Sequence, residues 1–233
     1  MIQAKDVITE AKKKANKEKT AILGRFFKTG PGQYGAGDVF WGLTVPQSRT
    51  IAKKYSDLSL IEIKKLLESP VHEIRLIALL ILVEQFTKGD VLKQRAITNF
   101  YLKNTKYINN WDLVDLSASK ILGSWLIDKD TAILYKLIKS DNLWERRIAI
   151  VATYAFIKAD SFKHTLSLAE KLLNDKHDLM HKAAGWMLRE MGKRSINDLK
   201  VFLKNYTRRM PRTMLRYAIE KFPEIERQKY LKK

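Results

Sequence analysis

Arg147-Ile148-Ala149 is one of five segments that share a register ending on a small residue, the others being Leu76-Ile-Ala78, Asp115-Leu-Ser117, Lys182-Ala-Ala184 and Arg216-Tyr-Ala218. Successive segments are 39, 32, 35 and 34 residues apart. That spacing is the period of a helical repeat, in which each pair of helices buries its apolar face by stacking on its neighbours. The first position of each triplet is expected to point in one common direction. Read in order it is Leu, Asp, Arg, Lys, Arg, so a surface lined by this position is apolar at one end and cationic at the other, with a single carboxylate among the cations.

The rest of the chain agrees with a helical reading. Only 10 Gly and 5 Pro occur in 233 residues, and apolar residues recur at helical spacing almost throughout. The pattern predicts helices over Ile2–Lys17, Ala21–Phe27, Pro46–Lys54, Ser59–Leu67, Val71–Phe86, Leu92–Leu102, Trp111–Leu126, Thr131–Ile138, Leu143–Ile157, Ser161–Leu173, Leu179–Met191, Ile196–Asn205 and Pro211–Phe222. Short polar breaks such as Ser69-Pro70, Ser140-Asp141 and Asn174-Asp175 separate them and supply N-cap residues. The expected fold is all-α, a HEAT-like solenoid forming one domain over residues 1–233, with a Gly-rich inserted loop at about 28–45.

Lys plus Arg is 44 and Asp plus Glu is 25, a formal net charge of +19, while 45% of residues are hydrophobic. A chain this apolar can form a core, which argues against intrinsic disorder, and its charge points to an anionic polymer or membrane as partner. Three of the five register positions are cationic, and Lys204–Lys233 carries ten Lys or Arg against three Glu. Recurrence of this kind favours a groove that follows a phosphate backbone over a merely solvated helix face. The absence of Cys rules out a disulfide scaffold, a Cys zinc site, an iron–sulfur cluster and a thiol nucleophile. The first residues lack the apolar block of a secretion signal. The longest apolar run, Leu76–Val83, is far shorter than the roughly 20 residues needed to cross a bilayer. A cytoplasmic protein, monomeric by default, is the expectation.

Two groups of residues carry possible chemistry. Trp111 and Asp115, four apart, lie one above the other on a helix face. Lys182, Trp186 and Arg189 share a face in the same way, and Asp115 and Lys182 hold the same register position, so these residues and Arg147 are placed to border one groove. Periodicity alone leaves open a plainer reading, in which the Trp residues pack in the core and Asp115 only pairs with Arg147.

The segments Asn110-Trp-Asp-Leu-Val-Asp115, Asn142-Leu-Trp-Glu-Arg-Arg147-Ile-Ala149 and Lys182-Ala-Ala-Gly-Trp186-Met-Leu-Arg189-Glu resemble, in order, the matching helices of the AlkD-like DNA alkylation repair glycosylases. The resemblance covers most of the chain. It implies a HEAT-like repeat embracing duplex DNA, excision of positively charged N3- and N7-alkylated purines in base excision repair, and no closed base-flipping pocket and no cofactor. By the same resemblance Asp115, Trp111 and Trp186 are the active-site residues, with Arg147 and Arg189 contacting DNA. The basic register adds Lys182 and Arg216 as DNA-binding candidates. An already cationic purine leaves as a neutral base without a general acid. The deoxyribose then gains oxocarbenium character, which a carboxylate and aromatic faces suit.

The segment Lys28–Val45 departs from the family pattern. Gly30, Gly32 and Gly35 satisfy G-x-G-x-x-G, but the segment follows a helix and precedes an apolar run, the reverse of a dinucleotide-binding context. Two readings stay open: an ordered turn or small hairpin that touches DNA, and a plain structural loop. Phe26 stands where the family has a Tyr near the DNA. His177 and His181 are four apart but have no third ligand and no Glu base between them, so no metal site is assigned. A different class of function, a non-catalytic HEAT-repeat protein that binds damaged or branched DNA, is compatible with the same charge.

Either DNA reading predicts that affinity for a duplex falls steeply with salt, with a log–log slope of about −0.9 per neutralised phosphate. Fluorescence anisotropy across a salt series measures it. A flat dependence would instead favour a HEAT scaffold for an acidic protein.

Overall fold

The computed structural model describes residues 2–232, and the fold is an all-α helical repeat. It divides into two compact units, one ending at Ile121 and the other beginning at Leu122. The first contains α1 (Ala4–Lys12), α2 (Lys17–Phe26), α3 (Val45–Lys54), α4 (Leu60–Leu67), α5 (His72–Lys88), α6 (Val91–Lys103) and α7 (Trp111–Ser117). The second contains α8 (Ser124–Leu126), α9 (Ala132–Leu137), α10 (Leu143–Lys158), α11 (Lys163–Lys171), α12 (Asp178–Gly192), α13 (Ile196–Tyr206), α14 (Arg212–Ala218) and α15 (Glu224–Leu231). No helix among the described residues is long and apolar enough to cross a membrane.

Helix starts follow the polar breaks. Thr44 and Gln47 form a capping box on α3, and Ser59, Asp90 and Ser195 accept from backbone N–H groups in the first turns of α4, α6 and α13, satisfying donors that a helix leaves unpaired. In the first unit α5 packs against α3, α4, α6 and α7, and it is apolar on nearly every side. Such a helix must lie inside the core. Gln85 is the buried polar side chain on its last turns, and it donates to the carbonyls of Ser56 and Leu58 at 2.8 and 2.7 Å. In the second unit α10, α12 and α14 pack in succession, and α9, α11 and α13 lie against them.

The register read from the sequence is the register of these helices. Its small residues, Ala78, Ser117, Ala149, Ala184 and Ala218, are all buried. Most helix bounds agree with the pattern within a few residues. Four places differ. The helix expected over Ile2–Lys17 ends at Lys12, and Lys17 opens α2 because Asn16 caps a new helix by accepting from the Lys19 N–H. The helix expected over Trp111–Leu126 is interrupted by a π-helical turn at Ser119–Gly123, a feature that enlarges the ring of backbone hydrogen bonds and is frequent near functional sites. The charged terminal segment contains α15, which buries no residue and so left no apolar period to detect. The segment after α2 is a series of turns with an isolated parallel bridge between Val39 and Val71, and no hairpin forms.

Helix α12 shows how closely the repeats approach. A Cβ on Gly185 would stand 2.5 Å from the carbonyl oxygen of Met214 and 2.6 Å from the Cβ of Tyr217. Gly185→Ala is therefore expected to lower stability by about 1–3 kcal/mol through overpacking, measured by urea denaturation. An unchanged midpoint would mean that α12 and α14 are not in this contact.

Candidate functional site

The first unit contains a cavity of about 590 Å³, within the size range of small-ligand sites. Helix α2 and its C-cap contribute Ile22, Phe26 and Phe27, the turn segment contributes Phe40 and Leu43, α5 contributes His72 and Leu76, and α7 contributes Trp111, Asp115 and Leu116. The walls are almost entirely apolar, so few groups are available to read the hydrogen-bonding edge of a base. Phe27 stacks on Trp111 at 5.2 Å and on Phe40 at 5.0 Å, while Phe26 meets Trp111 edge to face at 5.7 Å. Phe26 is 59% exposed. An exposed ring backed by the buried Phe27 and the half-buried Trp111 is positioned to touch a ligand at the cavity mouth.

Trp111 and Asp115 are thus brought to one cavity, as their four-residue spacing anticipates. Asp115 lies on the same helix face one turn after the indole and is half-buried. The other predicted residues belong to the second unit. Trp186 is half-buried beside Tyr154, ring centroids 6.2 Å apart. Arg147 is buried and donates to the Leu179 carbonyl at 2.7 Å. Lys182 pairs with Asp178 at 2.8 Å, and Arg189 pairs with Glu190 and with Glu220. A phosphate reaching Lys182 or Arg189 would have to compete with these carboxylates. Arg216 is exposed. His177 and His181 have structural roles: His177 caps α12 by accepting from the Leu179 N–H, and His181 is hydrogen-bonded to the Asp175 carbonyl. No group of three or more His, Asp or Glu among the described residues is arranged to hold a metal ion.

The sequence reading missed the polar base of the cavity. His72 begins α5 and is buried, with Nδ1 3.0 Å from Asp38 Oδ2 and Nε2 2.8 Å from Asp112 Oδ2. Arg75 pairs with the other oxygen of Asp38 at 2.5 Å. Asn110 donates to Asp38 at 3.0 Å while its own oxygen accepts from the Trp111 N–H at 2.8 Å. Next to His72, the buried Glu73 carboxylate accepts from the N–H groups of Trp41, Gly42 and Leu43 at 2.7–3.1 Å. Gly42 is suited to this turn, with φ of 85° and the Asn16 carbonyl against the place a Cβ would occupy. One signal was present in the sequence. His72, Glu73 and Arg75 open a helix that is apolar all round, and buried charges require partners.

Charge states follow from these contacts. Burial disfavours the His72 imidazolium, but the hydrogen bonds and negative charges of Asp112 and Asp38 outweigh it and raise its pKa to about 9. Burial pushes the Asp38 carboxyl up, whereas the His72 hydrogen bond, the Arg75 charge and the Asn110 hydrogen bond together hold it below the usual carboxylate range.

Residues 7–222 match the family described as DNA alkylation repair enzyme. Among solved structures, a chain described as a predicted DNA alkylation repair enzyme from Enterococcus faecalis is similar over 91% of this chain and 98% of its own, with a TM-score of 0.70 and 17% identity. At that identity the likeness concerns the fold. A comparison with curated proteins gives no match.

Because the folded pKa of His72 lies above its ordinary 6.5, its stabilising share is complete below about pH 6.5 and is lost as pH rises through about 9. Asp38 is the opposite case, its share being present above the ordinary carboxylate range and lost on acidification. The difference in urea midpoint between wild type and His72→Gln should therefore shrink from pH 6.5 to about 9.5. A constant difference would show that His72 does not titrate in this window.

Proposed function

Because the chain belongs to the DNA alkylation repair enzyme family, we propose that it is a DNA glycosylase releasing cationic N3- and N7-alkylated purines from duplex DNA. The observation that carries this reading is the placement of the Asp115 carboxylate and the Trp111 indole on one cavity of a strongly basic chain. The net charge of +19 suits a duplex partner.

The chemistry asks little of the protein in proton transfer. As the glycosidic C1′–N bond of a 7-methylguanine or 3-methyladenine nucleotide breaks, the bonding electron pair goes to the base and neutralises its positive charge. Positive charge then gathers on C1′ and the ring oxygen of the sugar. Asp115 stabilises that cation and orients a water molecule, whose oxygen bonds to C1′ while its proton passes to the carboxylate or to solvent. Phe27 covers one face of the Trp111 indole, so a cationic nucleotide is attracted to the opposite face, where ring–cation attraction is worth about 0.5–2 kcal/mol. The carboxylate is thus the larger contributor. Trp186 is the second aromatic candidate in this role, and Arg216, Lys182, Arg189 and Arg147 are the candidates for phosphate contact.

Methylated duplex DNA incubated with the protein should release 7-methylguanine or 3-methyladenine, detected by chromatography. Asp115→Asn should slow single-turnover release by about a hundredfold or more with duplex affinity largely retained. Binding without release by the wild type would favour a non-catalytic DNA-binding role.

A further inference from the structure

The residues on either side of Trp111 are both tied to one buried side-chain cluster. Asn110 reaches Asp38, and Asp112 reaches His72. We propose that His72 is a positioning residue for base release: held between the Asp38 and Asp112 carboxylates, it fixes the first turn of α7 and with it the Trp111 indole and the Asp115 carboxylate. This inference rests on the glycosylase reading.

The geometry gives His72 this role and excludes a more direct one. Both ring nitrogens are engaged by carboxylates, at 3.0 and 2.8 Å, so the imidazolium has no proton left to offer a leaving base. Both oxygens of Asp112 are engaged as well, the second accepting from the Leu113 N–H at 2.9 Å. The link therefore runs from α5 through one carboxylate into the backbone of α7, beside Trp111 and one turn before Asp115. A second route runs through the rings: His72 lies 4.8 Å from Phe27 and 4.6 Å from Phe40, and Phe27 stacks on Trp111. A change in the charge of His72 is thus transmitted to the indole by two paths.

Other charged groups face this cluster from each element around it. Asp38 comes from the turn segment, Glu73 and Arg75 from α5, Asp112 and Asp115 from α7, and Lys19 of α2 lines the same cavity. Glu73 is held by backbone N–H groups and Arg75 by Asp38. Of these side chains only the imidazole has an ordinary pKa near neutrality, and its upward shift keeps it charged there.

Two measurements on the full chain test the proposal. In a nitrogen-15 NMR titration of the wild type from neutral to alkaline pH, the Trp111 indole resonance, assigned by substitution, should move with the same inflection as the His72 ring. An indole resonance that ignores the His72 titration would overturn the proposal, and this readout requires no His72 or Asp112 variant to fold. In single-turnover release of 7-methylguanine from methylated duplex, His72→Gln and Asp112→Asn should each lower the rate by about tenfold or more with duplex affinity within about threefold. Rates equal to wild type would overturn the proposal too. A wild type that releases no base yet shows the coupled titration defeats the glycosylase reading and leaves the tie between His72 and Trp111 standing.

Discussion

Cancellation of buried charge is the constraint on which the site in the first unit depends. Two carboxylates, Asp38 and Asp112, are offset by the His72 imidazolium and the Arg75 guanidinium, with all four side chains less than a tenth exposed. Removing such groups from water costs several kcal/mol per ion, so the arrangement holds only when signs balance and hydrogen bonds are made. Loss of one partner would leave an uncompensated charge and cost about 3–5 kcal/mol. The same requirement fixes distances. A turn segment, the start of α5 and the start of α7 have to meet at hydrogen-bonding separation, and Glu73 binds the turn segment a second time through three backbone N–H groups.

Above this polar base lies an aromatic layer, and the order of the two layers has chemical consequences. Phe27 and Phe40 cover His72, and Phe27 in turn stacks on Trp111. The cavity they line is apolar, and Asp115 is half-buried at its wall. A carboxylate among apolar groups interacts more strongly with a nearby cation than one surrounded by water. Such a site is suited to discriminate by charge, since its walls offer few groups to recognise a particular base. On the proposed glycosylase reading, that preference accounts for excision of cationic lesions without an acid to protonate the leaving group.

How much of this was legible in the sequence depended on the range over which each signal acts. The repeat was legible because a small residue is needed wherever one helix packs closely on the next, and Ala78, Ser117, Ala149, Ala184 and Ala218 carry that need at a readable period. Trp111 and Asp115 were legible as a pair because one helix turn separates them. The cluster beneath them was not, because its partners are distant in sequence: Asp38 is 34 residues from His72 and Asp112 is 40. Helix α15 escaped detection for a different reason, having no buried face to impose a period. The Gly-rich segment looked like an addition to the fold, yet Asp38 and the amides of 41–43 make it a structural support of the cavity.

The claim at the centre is that Asp115 stabilises a positively charged sugar. The most direct measurement is the affinity of the protein for a duplex carrying a cationic pyrrolidine in place of one nucleotide's sugar, relative to a duplex with an uncharged tetrahydrofuran there. The cationic duplex should bind more tightly, and Asp115→Asn should abolish the preference while leaving the uncharged duplex bound as before. Equal affinity for the two duplexes in the wild type, or a preference that survives Asp115→Asn, would contradict the claim.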